Sequence, residues 1–302
     1  MKTPLFLSPG SKIALVAPAR KVTLDDIAFA IEYIKNKGFV PVYDERLFLS
    51  NNQFAGNDER RTAVLQSYLD NSDIDAIMCV RGGYGTIRII DKLCFDRFIQ
   101  KPKWIIGYSD VTVLHAKLQS IGVESLHATM PINFSDNSSQ SLDSLFDTLC
   151  GKSLSYKVAA DKNNICGEAE GELVGGNISV LYSMIGSSIF PDSKDKILFL
   201  EDLDEYLYHI DRMMIALERA GVFDNIRGLI VGGLTKMHDN AIPFGMTAEE
   251  IILERVRNKN IPVCFNFPAG HIDDNRALIF GRKVKLCCDT TSASLDFLAA
   301  HR

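Results

Sequence analysis

Along the first half of the chain, short apolar runs alternate with longer segments whose apolar positions recur every three or four residues. That is the pattern of buried strands separated by crossover helices. Residues 12–17 (KIALVA) predict a strand, and residues 23–37 a helix capped by Thr23 and closed by Gly38. Strands follow at 39–43, 76–80 and 103–106, with helices at 58–71 and 111–121. A mostly parallel sheet with helices on both faces satisfies this order.

From 133 to 164 the text turns polar and rich in Ser and Asn, with a short helical stretch near 141–149. The expected division is an N-terminal α/β domain at 1–150, a linker at 151–167 and a smaller, strand-rich C-terminal α/β domain at 168–302. The second domain opens on EAEGELVGG (168–176), and ILFLE (197–201) predicts a short buried strand. Tyr206, Ile210, Met213 and Leu217 share one helical face, so 206–220 predicts an amphipathic helix ending at Gly221. GLIVGG (228–233) and 262–267 read as strands, and Thr247 with Glu250 as the capping box of a helix over 248–258. The tail, 277–288 and 292–298, reads as strand-rich closure.

Composition narrows the function classes. The 302 residues carry a formal net charge of -5, with 46% hydrophobic and 24% charged residues, as in an ordinary globular protein. No basic run stands out, which argues against nucleic acid as a partner. Pro4, Ser8, Pro9 and Lys12 interrupt any signal-peptide core, and no apolar stretch approaches the roughly 20 residues of a membrane span. The expectation is a cytoplasmic protein that does not engage membranes. Seven scattered cysteines without a CxxC pair give no sign of a disulfide framework or a zinc site.

Candidate chemistry gathers at strand ends. In WIIGYSDVT (104–112) a strand runs through Gly107 and Tyr108 into Ser109, just ahead of a helix. This arrangement can lift a hydroxyl to the top of a sheet, where the helix N-terminus stabilises an oxyanion. Position 111 is Val, so the full GxSxG pattern is absent, and Ser109 or Asp110 as a plain N-cap stays open. RGGYGT (81–86) follows the strand at 76–80. It reads as an oxyanion loop in which the Gly83 N–H joins the Asp110 N–H, as a phosphate cradle lacking the usual glycine spacing, or as a tight turn.

A serine needs a base, and the base an orienting acid. Of the six histidines, His271 leaves a buried strand through FPAGH (267–271), at a sheet edge. His127 is its rival, while His115 and His209, inside helices, and His301, in the tail, rank lower. Glu201 ends the strand at 197–200, although its neighbours Asp202 and Asp204 also suit helix capping.

Taken in order, KIALVAPA, RGGYGTIRIID, WIIGYSDVTVLHAKL, GELVGGNISVL, ILFLEDLDEYLYHIDRMMIALERAG, GLIVGG and FPAGHIDDNRALIFG resemble the LD-carboxypeptidase family over nearly the whole chain. These are serine peptidases of murein tetrapeptide recycling, related to the microcin self-immunity hydrolases. The resemblance implies a Ser109–Glu201–His271 triad, with an N-terminal domain carrying the serine, a C-terminal domain carrying Glu and His, and a cleft between them. It implies no metal or organic cofactor, a murein-derived peptide substrate and a homodimer. The implied reaction hydrolyses the amide between an L-configured diamino centre and a terminal D-alanine. Recognition of the free carboxylate suits an Arg fork, with Arg81 and Arg276 near the expected site. The alternatives are an antibiotic self-immunity hydrolase of a peptide-nucleotide, which the short connection from Gly176 to Ile197 disfavours, and a non-catalytic small-ligand module.

Overall fold

A computed structural model describes residues 1–299. The chain forms two compact units, the first from residues 1–152 with 273–278 and the second from 153–272 with 279 onward.

The first unit runs β1 (Lys12–Val16), α1 (Leu24–Asn36), β2 (Val40–Val42), α2 (Asp58–Asp70), β3 (Ala76–Cys79), α3 (Asp96–Gln100), β4 (Trp104–Gly107), α4 (Thr112–Ser120), β5 (Ser125–His127) and α5 (Ser139–Leu149). The strands line up as β2-β1-β3-β4-β5, all parallel. Leu278, at the end of the returning segment, begins a sixth strand at the β5 edge. Both faces of β3 and β4 are buried, which is why AIMC and WIIG are apolar throughout instead of alternating. Trp104 is fully buried, and its indole N–H donates to the Leu5 carbonyl at 3.1 Å. Thr23 closes a capping box with Asp26, so α1 starts where the sequence places it.

The second unit contains β6 (Ser155–Ala159), β7 (Gly167–Asn177), α6 (Ile178–Ser183), β8 (Ile197–Leu203), α7 (Leu207–Arg219), β9 (Gly228–Thr235), α8 (Ala248–Val256) and β10 (Val263–Cys264). After β11 (Leu278–Phe280) come β12 (Lys283–Cys288) and β13 (Ser292–Phe297). Its sheet has the order β10-β9-β8-β7-β12-β13-β6. β7 serves two ladders. Residues 167–172 pair antiparallel with β12, and residues 173–177 pair parallel with β8. The sequence records the switch, since Glu168, Glu170 and Glu172 alternate outward before the strand becomes continuously buried. Ile165, just ahead of β7, also exchanges backbone hydrogen bonds with Val263, so the sheet curls back on itself. β6 forms inside the stretch that the sequence reads as a linker.

The mixed α/β architecture agrees with the sequence reading: a mostly parallel N-terminal sheet with helices, then a strand-rich C-terminal part. Among the described residues no helix is long and apolar enough to cross a membrane.

Candidate active site

In the first unit, β3 and β4 are parallel neighbours, with Met78 opposite Ile106, so the segments leaving them emerge on the same sheet edge. At the end of β4, Gly107 has φ 153°, and a Cβ there would lie 2.8 Å from Val111 Cγ2 and 3.2 Å from Cys79 Cβ. The chain then turns so tightly that Ser109 adopts φ 64°, left-handed backbone that a non-glycine residue enters at a cost of about 1–3 kcal/mol. Ser109 begins a short 3-10 turn, Ser109–Val111, that leads into α4. Tyr108 occupies the N-cap position without a side-chain bond, so neither Ser109 nor Asp110 is the cap that local sequence permits.

The Asp110 carboxylate instead reaches the glycine loop. It is 2% exposed, and one oxygen accepts the Thr86 N–H at 2.8 Å and the Thr86 hydroxyl at 2.5 Å. Burial pushes its pKa up, opposed by the Thr86 and Gly85 hydrogen bonds and the Arg61 charge. From the other side, the buried Arg61 guanidinium donates to Gly85 O at 2.8 Å, to Pro18 O and to Asp58. The loop is thus held by a carboxylate on its N–H side and a guanidinium on its carbonyl side. It lies against the serine: a Cβ on Gly82 would sit 3.1 Å from Ser109 Cβ and 3.2 Å from its Oγ. Sequence reasoning missed Thr86 and Arg61. Thr86 directly follows the glycines, whereas nothing near Arg61 in the chain points to the loop.

In the second unit, β8 carries Glu201, fully buried. The β8–β9 register shifts there: Leu200 pairs with Val231, and Asp202 with Leu234. A bulge of this kind re-aims a side chain. Gly232 and Gly233, at the bulge on β9, admit the 267–272 segment. A Cβ on Gly232 would lie 2.4 Å from Ala269 O, and one on Gly233 would lie 2.7 Å from Ile272 Cγ2. His271 arrives by that route, its Nδ1 2.6 Å from Glu201 Oε2. Burial pulls the imidazole pKa down, but the charge and hydrogen bond of Glu201, aided by Asp202, raise it above the ordinary 6.5.

The acidic neighbours do not cap α7, whose N-cap is Tyr206 without a side-chain bond. Asp202 accepts from Asn177 Nδ2 at 2.8 Å, Ser179 N at 2.9 Å and Leu203 N at 2.8 Å. Burial, then the charge of Glu201, raises its pKa to about 7 against those bonds. Asp204 pairs with His238 at 2.6 Å.

The structure therefore brings Glu201 and His271 together in the second unit, and in the first it sets Ser109 against Gly82, the neighbour of Gly83, and ties Asp110 to Thr86 of the same loop. His127 is fully buried on β5. His115 holds Ser125 Oγ and Gly107 O at 2.8 and 2.9 Å, and burial lowers its pKa to about 4. His209 pairs with Glu205 at 3.0 Å, and His301 lies outside the described residues.

Comparison with known proteins adds independent findings. Residues 13–128 match the family described as LD-carboxypeptidase N-terminal domain, and residues 170–286 match the LD-carboxypeptidase C-terminal domain. A Synechocystis sp. protein provisionally named a carboxypeptidase is 31% identical over 297 residues, covering 98% of this chain and 97% of that one. The crystal structure of muramoyltetrapeptide carboxypeptidase from Oxalobacter formigenes superposes with a TM-score of 0.87 at 28% identity, covering 97% of this chain and 100% of that one. The microcin C7 self-immunity protein MccF of Escherichia coli is 26% identical over 322 residues, covering 92% of this chain and 90% of that one.

Proposed function

Since this chain belongs to the LD-carboxypeptidase family, we propose that it is a serine peptidase releasing terminal D-alanine from murein tetrapeptides, with Ser109, His271 and Glu201 as its triad. The observation that carries the reading is the buried Glu201 carboxylate on Nδ1 of His271. With Nδ1–H donated to a carboxylate, Nε2 is the nitrogen that carries the lone pair. In the proposed reaction Nε2 takes the proton from Ser109 Oγ as the oxygen attacks the scissile carbonyl. Glu201 steadies the imidazolium that forms, and the proton then passes to the leaving amine of D-alanine. Water, deprotonated by the same nitrogen, releases the acyl group.

Charge on the tetrahedral intermediate would be met by the backbone N–H groups of Gly83 and Asp110. Support for this comes from the loop anchored by Thr86 and Arg61, and from the left-handed turn at Ser109. Both place rigid backbone beside the hydroxyl, so its surroundings need little reorganisation during reaction.

The test is release of D-alanine from a tetrapeptide whose third residue is an L-diamino acid, together with labelling by a fluorophosphonate. We expect release by the native protein, an adduct on Ser109 and neither in Ser109→Ala. Full activity in that variant would overturn the serine mechanism, and cleavage of an aminoacyl-nucleotide in preference to the tetrapeptide would move the protein to the self-immunity branch.

A further inference from the structure

A peptidase confined to the last residue of its substrate must hold a free carboxylate, and the groups described so far supply no cation for it. Consecutive carbonyl carbons of a peptide are separated by roughly 4 Å, so the cation must sit on a segment adjoining the serine. Arg61 is buried and committed to the loop and to Asp58. Arg276 is held by Asp274 through Nε at 3.1 Å and Nη2 at 2.8 Å, and Arg81 donates to Lys21 O at 3.3 Å. Neither of the arginines that the sequence suggested is therefore uncommitted.

Arg20 is placed differently. It lies just beyond β1, which pairs with β3 through Val16 and Cys79, so its segment emerges beside the glycine loop. Its backbone N–H donates to Gly82 O at 3.4 Å. The side chain then crosses the face of Gly83, where an added Cβ would lie 2.5 Å from Arg20 Cδ and 2.8 Å from both Cγ and Nε. Gly83, at φ 103°, is the neighbour of the glycine that touches Ser109. Any side chain at 83 would expel the arginine. Arg20 is exposed, and its guanidinium forms no ion pair with a described residue.

We propose that Arg20 is the residue that binds the terminal carboxylate of the substrate; the inference rests on the carboxypeptidase reading of Ser109. The stem lies along the loop backbone, so its rotamer freedom is restricted before substrate arrives, and the planar head offers two parallel N–H donors to a carboxylate. Gly83 would thereby serve two ends, offering its N–H to the oxyanion in the proposed mechanism while its missing side chain makes room for the arginine.

The experiment compares two tetrapeptides that differ only at the C-terminus, one a free acid and the other the carboxamide. For the native protein we expect kcat/KM to favour the acid. In Arg20→Gln that preference should collapse toward unity, by about 100-fold and mainly through KM, with Arg20→Lys intermediate because a point charge replaces the fork. Fluorophosphonate labelling of Ser109 should persist in both variants, which reports an intact fold and site. An Arg20→Gln protein that keeps the native acid-to-amide ratio overturns the inference alone. A native protein that cleaves neither peptide, releasing neither D-alanine from the acid nor D-alaninamide from the carboxamide, overturns the carboxypeptidase reading, and the inference with it.

Discussion

Glu201 Oε2 lies 2.6 Å from His271 Nδ1 and accepts the backbone N–H of the same residue at 3.3 Å. Ring and backbone are thus fixed by one oxygen, which sets both the tautomer and the tilt of the imidazole. The companion oxygen, Oε1, is buried without a hydrogen-bond partner among the described residues.

The pH dependence of activity follows from that pair. In the proposed mechanism His271 is the general base, which works only when neutral, and the Glu201 carboxylate holds its pKa above the ordinary 6.5. The acid limb of kcat/KM should therefore lie above that value, and Glu201→Gln should move it down while lowering kcat by on the order of 10³-fold. The sign for stability is the opposite. A raised imidazole pKa stabilises the fold fully below the unfolded value and loses that contribution as pH rises through the folded value. Activity against pH and urea unfolding against pH check the two halves. An acid limb at or below 6.5 in the native protein would refute the coupling.

Thr86 and Asp110 supply a second prediction. Thr86→Val removes the hydroxyl bond of 2.5 Å to a buried carboxylate and leaves the backbone N–H in place. The cost should be about 1.5–3 kcal/mol of stability, with kcat falling more than KM rises because the loop N–H groups lose their position. Thr86→Ser keeps the donor and should recover most of the activity. Equal kcat in Thr86→Val and Thr86→Ser would leave the hydroxyl a merely structural role.

Lys103 tests the scaffold behind the site. The residue is 3% exposed, and its ammonium donates to the carbonyls of Tyr68, Leu69 and Asn71 at 3.0, 3.2 and 2.5 Å, closing the C-terminal end of α2. Lys103→Met fills similar volume but strands those acceptors. The expected loss is about 2–3 kcal/mol in urea unfolding, with Ser109 labelling unchanged at low denaturant. An unaltered midpoint would contradict the capping role.

What could be read from the sequence was local. The capping boxes Thr23–Asp26 and Thr247–Glu250 lie within single turns, so the starts of α1 and α8 were legible. Continuous apolar runs gave β3, β4 and β8, and the strand ends gave Ser109 and Glu201. The apolar run 262–267 overstated β10, which is only Val263–Cys264 because Asn266 turns to φ 53°. Contacts across distant segments were not legible. Arg61 reaches Gly85 over 24 residues, and the return of 273–278 to the first unit crosses a unit boundary. The β8 bulge that turns Glu201 depends on Gly232 and Gly233 admitting another segment, and the glycine pair alone does not announce that.

Two glycines of the second unit separate fold from function by experiment. Gly175 has φ 131°, and a Cβ there would lie 1.9 Å from Phe199 O, a clash with strand backbone that no side-chain movement relieves. Gly175→Ala should therefore destabilise the unit by 3 kcal/mol or more, roughly the upper range for a strained or overpacked position. Gly270 has φ 100°, and a Cβ there would meet Glu201 Cβ and Oε2 at 2.8 Å. In Gly270→Ala the added methyl meets the Glu201 side chain from Cβ to Oε2, so that side chain is displaced and its carboxylate drawn off His271. That variant should lose kcat by about 100-fold and shift its acid limb downward, as Glu201→Gln does, at a smaller stability cost than Gly175→Ala. Measuring kcat against pH and urea midpoints for both variants checks the contrast. A Gly270→Ala protein with a native acid limb would show that Glu201 keeps its hold on the ring without the space that glycine provides.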